Sequence, residues 1–184
     1  MNALRALAGA IDSFNHRIGS WIAWLAVIMV LAQFAVVLLR YVFGIGLIML
    51  QESVVYLHGV LFMLGAGYTL LRGGHVRVDI FYQPATARSK AIIDLAGALL
   101  FLLPVCALIA IYSFPYIANS WAVYEGSKET SGIQAVFLLK SIILVFTALV
   151  GLQGVSMALH SILVICGVET PAAAPAIAVA EKGL

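Results

Sequence analysis

Between Arg17 and Arg40 the chain carries no formally charged residue, and the same holds from Glu52 to Arg72, from Asp94 to Glu125 and from Lys140 to Glu169. Crossing the hydrocarbon core of a bilayer takes about 20 apolar residues, each adding about 1.5 Å of helix. All four runs meet or approach that length. Inside lipid, each backbone N–H and C=O needs a partner within its own segment or in a closed barrel. These runs are too long and too continuously apolar for barrel strands, which alternate over roughly 10 residues. The pattern predicts an all-α membrane protein with four transmembrane helices over residues 18–39, 53–71, 95–116 and 141–165. Residues 1–168 then form one membrane domain, and residues 169–184, broken by Pro171 and Pro175, are expected to be a disordered cytoplasmic tail.

The order of charges predicts an orientation. With the N-terminus in the cytoplasm, Arg5, Arg17, Arg72, Arg77, Arg88, Lys90 and Lys182 fall inside, against Arg40, Lys128 and Lys140 outside. That is the positive-inside bias, so both termini are expected in the cytoplasm. The first apolar run starts late, exceeds a signal-peptide core and has no A-x-A-like site after it, so it reads as a signal anchor. Cys106 and Cys166 stand alone in apolar runs and read as buried small hydrophobes.

Upstream of the first span, Leu4, Leu7, Ala8, Ile11, Phe14 and Ile18 recur at helical spacing, with Arg5, Asp12, Asn15, His16 and Arg17 between them. This predicts an N-terminal amphipathic helix lying in the membrane interface; an extension of the first span is the alternative. Trp21 and Trp24 suit an aromatic belt. Gly59, Gly65 and Gly67, and later Gly151, Gly154 and Ala158, provide small-residue packing faces. Pro84 fits a helix start, and Pro104 or Pro115 is expected to kink or end the third helix.

Ionisable groups inside spans are the usual pointers to transport or proton relay. Here they gather at two rims: Arg40 and Glu52 at one, residues 72–79 at the other. Between them lie only His58, His160, Gln33 and Gln153. Arg40 and Glu52 either pair or snorkel independently to water. Glu52, Tyr56 and Gly59 share a helical face that meets a partner helix or packs within the subunit. For the polar island of Arg72, His75, Arg77 and Asp79, three readings stand: a topological anchor, a partner-binding edge, and a ligand site, the last with no companion groups. Pairing with an arginine accounts best for Asp79, which topology does not require.

Bis-histidine haem ligation fails on depth. His58 lies ~9 Å along its span from Glu52, whereas His160 lies ~30 Å from Lys140, near the opposite face. No catalytic triad, phosphate-cradling loop or metal set is arranged in the sequence. The chain is expected to be no enzyme, to bind no cofactor or metal, and to have no nucleic-acid partner.

The ordered set Arg40-Tyr41, Gln51-Glu52 with Tyr56, Leu64-Gly65-Ala66, Arg72, and Gly74-His75-Val76-Arg77-Val78-Asp79 resembles the small membrane subunit of TRAP (tripartite ATP-independent periplasmic) transporters. The resemblance runs from the first span through the fourth. It implies a subunit in the bacterial inner membrane that braces a large membrane subunit. That partner carries the solute and sodium sites, and a periplasmic solute-binding protein delivers the solute; membrane lipids surround both subunits. Arg40, Glu52, Tyr56, Arg72, His75, Arg77 and Asp79 are the interface or structural candidates. Ser131 and Gln134 replace a more usual Gly and Pro in the outer loop, while Gly132 is kept. A self-sufficient small carrier is the second reading and a b-type-cytochrome-like redox subunit the third.

Overall fold

A computed structural model describes residues 2–75, 82 and 84–168. Arg77 and Asp79, with the rest of residues 76–81, residue 83 and the tail after residue 168, lie outside the described residues. Every regular element that is described is helical. Among the described residues, four helices are long and apolar enough to cross a membrane.

Helix α1 (Asn2–Tyr41) is one unbroken helix of 40 residues, about 60 Å long. The amphipathic segment and the first span are therefore continuous, with no proline or turn between them. Gly44, at φ +67, turns the chain into α2 (Ile48–Leu71). That helix closes at Gly73, φ +64, where the Gly74 N–H donates to Thr69 O at 2.9 Å.

Helix α3 (Ala87–Gly97) starts three residues after Pro84, because the hydroxyl of Thr86 supplies the cap by accepting from the Ser89 N–H. It runs through a π-helical turn, Ala98–Leu102, into α4 (Leu103–Ala122). The Leu103 N–H donates five residues back, to Ala98 O. Widening the turn there makes room for Pro104, whose ring would crowd the carbonyl four residues before it. Pro115 sits inside α4 without ending it. Helix α5 (Val136–Ile165) ends at Gly167, φ +72, with the Val168 N–H donating to Leu163 O.

Helix α5 is the axis of the bundle: α1, α2, α3, α4 and the π turn all pack on it. Its buried residues are mostly small or polar: Thr147, Gln153, Gly154, Ser156, Ala158 and Ser161, with Leu149, Val150 and Leu163. Large side chains point outward instead, among them Trp21, Phe34, Phe62, Leu100, Phe101 and Ile111. Lipid tails are as apolar as leucine, so membrane helices associate through small residues and interhelical hydrogen bonds rather than by hiding grease. The inside of this bundle follows that rule.

Candidate functional site

At one end of the bundle, Glu52 on the first turns of α2 fastens the loop that precedes α5. Its carboxylate accepts from the Ser127 hydroxyl and, at 2.6 Å, from the Ile133 N–H. Tyr56, one turn on, donates to Ile133 O at 3.4 Å, and Gly59 lets the Leu139 side chain come close. The Glu52–Tyr56–Gly59 face is thus used within the chain. Gly132 belongs to the same device, since a Cβ there would overlap Ser127 and Glu52. Beside it, Glu125 pairs with Lys140 and accepts from the Ser120 hydroxyl at 2.7 Å. These two donors, the lysine first, hold the Glu125 carboxyl below its ordinary 4.5.

Arg40 does not pair with Glu52. Its guanidinium donates to Gln51 Oε1 at 2.7 Å, one residue earlier on α2. That bond pins the antiparallel register of α1 and α2 at this rim.

At the other end, Arg72 reaches back across α1. Its Nη2 lies 2.9 Å from His16 Nε2, its Nε donates to Tyr68 OH at 3.2 Å, and its guanidinium lies over the Tyr68 ring. Gly19 packs on the same ring. His75 is exposed beyond the helix end.

A second inner cluster joins α1 to α5. Asn15, only 1% exposed, donates to Leu149 O at 3.3 Å and to Gln153 Oε1 at 2.8 Å. Asp12 accepts from Gln153 at 2.9 Å and Ser156 at 2.6 Å, and pairs with His160 at 3.0 Å. Gly67 of α2 closes on Asn15 from the side, where a Cβ would lie 2.8 Å from its Oδ1. The sequence presents Asp12 and Asn15 as the wet face of an amphipathic helix. The structure turns them onto α5, while Leu7 and Phe14 remain exposed, at 51% and 50%. A signal was there: Asp12 and Asn15 at i, i+3 match Gln153, Ser156 and His160 at i, i+3, i+7.

Among the described residues, these groups meet one another and backbone atoms. The arrangement fastens helices at both ends of a bundle. The sequence over residues 12–166 matches the family model described as tripartite ATP-independent periplasmic transporters, DctQ component. The chain belongs to the DctQ family. It is the small membrane component of a TRAP transporter. No curated protein and no solved structure matches it.

Proposed function

We propose that this DctQ chain is the brace of a bacterial inner-membrane transporter, holding a larger membrane subunit in place during cation-coupled uptake of a small organic solute. A periplasmic binding protein delivers the solute. Residues 18–39, 53–71, 95–116 and 141–165 are the membrane-crossing parts of the domain, with both termini in the cytoplasm and the Glu52 end facing the periplasm.

The observation that carries this reading is where the charges are. The clasps of Glu52, Glu125 and Lys140, and of Asp12, His160 and Arg72, tie helix to helix near the two ends of the bundle. A carrier that binds an ion or acidic solute partway across needs ionisable groups there. The chain's interior offers neutral Gln153, Ser156 and Thr147 packed against neighbours. Arg40, Glu52, Tyr56 and Arg72 set the shape that the partner meets, and His75, Arg77 and Asp79 belong to its cytoplasmic edge.

The test is co-expression with the large membrane subunit and purification through a tag on this chain. The expected result is a stoichiometric complex that survives gel filtration in detergent. Recovery of this chain alone, under conditions where both subunits are well expressed, contradicts the reading.

A further inference from the structure

The Arg40–Gln51 bond fixes which residues of α1 and α2 lie side by side. Two turns inward on each helix, seven residues from that rung, stand Gln33 and His58, both about 10 Å below it. They are two polar side chains at one depth on one face, inside the charge-free runs. Both are exposed. With Met29, Val30, Val54 and Val55 they line a groove of about 450 Å³ between the two helices. His58 stacks on Phe62, and neither polar group finds a hydrogen-bond partner among the described residues. Two turns further in, Ala26 and Gly65 follow in the same register, and nothing lies within 4 Å of where a Gly65 Cβ would be.

An amide and an imidazole facing lipid tails have nothing to bond to, and membrane proteins turn such groups toward protein or water. A lipid headgroup stays at the rim, and an acyl chain offers no donor or acceptor. What satisfies this pair is another helix bringing a polar side chain to the same depth, with the small Ala26/Gly65 rung letting its backbone approach. We infer that the α1/α2 face around Gln33 and His58 docks a transmembrane helix of the larger membrane subunit, one that places a hydroxyl, amide or carboxylic side chain opposite the pair. This rests on the assembly reading above and assigns it a surface.

The test uses the complex in membranes, with Cys106→Ala and Cys166→Ala as background. A benzophenone maleimide is attached at Val30→Cys or Val55→Cys, in the groove, or at Ile111→Cys on the outward side of α4. Illumination is expected to join the large subunit to the two groove positions and not to the α4 position. In parallel, the Gln33→Leu/His58→Leu pair is expected to lower complex recovery about tenfold, at the strength of two interhelical hydrogen bonds. The isolated subunit should melt at the same temperature as the unsubstituted chain or higher, because leucine suits a lipid-facing position. A groove that captures only lipid or a second copy of this chain, equal capture from α4, or undiminished recovery of the double variant overturns the assignment. Should the double variant melt lower, the photo-crosslinks alone decide. If the unsubstituted chain forms no complex, the assembly reading falls, and this inference with it; a complex that forms without groove crosslinks removes the inference only.

Discussion

Single atoms decide how closely these helices approach. Gly19 meets the Tyr68 ring, so even a methyl group there overlaps an anchored aromatic side chain. We expect Gly19→Ala to destabilise the bundle by about 1–3 kcal/mol, the usual cost of overpacking. Gly9→Ala, where nothing lies within 4 Å, should be neutral or stabilise by about 0.5–1 kcal/mol through helix propensity. Thermal unfolding of both variants in detergent checks the pair. Glu52 is as specific in a polar sense. Its two oxygens accept from the Ser127 hydroxyl and the Ile133 N–H. Glu52→Gln therefore keeps the Ile133 bond only by turning its NH₂ to Ser127, whose hydroxyl must then accept instead of donate. Both bonds lose the carboxylate charge. The weakened clasp should appear as faster proteolysis within residues 125–135. A helix in the Glu52 region was legible from the sequence, although α2 begins at Ile48, a turn earlier than the charge marks it. The partners of Glu52 were not, because Ser127 and Ile133 lie 75 and 81 residues away and no local periodicity joins them.

At the scale of elements, the helices were readable from charge-free length and their internal geometry was not. The π turn at Ala98–Leu102 answers Pro104 in a way that lets α3 and α4 continue as one path; a proline alone announces only that something must give. Helix α1 shows a similar limit. Its polar stripe of Asp12 and Asn15 has the spacing of a solvated face, and only α5, about 140 residues on, makes it an inward one. Arg40 illustrates the reverse: an obvious carboxylate neighbour in sequence, yet the amide of Gln51 takes the bond. The join between the outer loop and α5 has a pH signature. Lys140 and Ser120 hold the Glu125 carboxyl below its ordinary 4.5. A carboxyl lowered on folding contributes stability that is present above its unfolded value and lost as pH falls through the folded one. Melting temperatures of the unsubstituted chain and Glu125→Gln should therefore differ at neutral pH and converge only once the pH has fallen through the lowered folded-state value. A difference that persists in acid would place the effect elsewhere.

As a whole molecule, the chain is a bundle with a small-residue axis and polar clasps at its two ends. It presents an apolar exterior in which Gln33 and His58 are the conspicuous exception. Among the described residues, Glu52, Glu125, Lys140, Asp12, His160 and Arg72 fasten the bundle near those ends. The central claim, that this subunit supports transport without carrying out transport, is tested most directly by solute uptake into proteoliposomes. These would hold the small subunit, the large subunit or both, each with the periplasmic binding protein and a cation gradient. The account predicts uptake with both subunits and none above background with the small subunit alone. Gradient-driven uptake by the small subunit alone would contradict it.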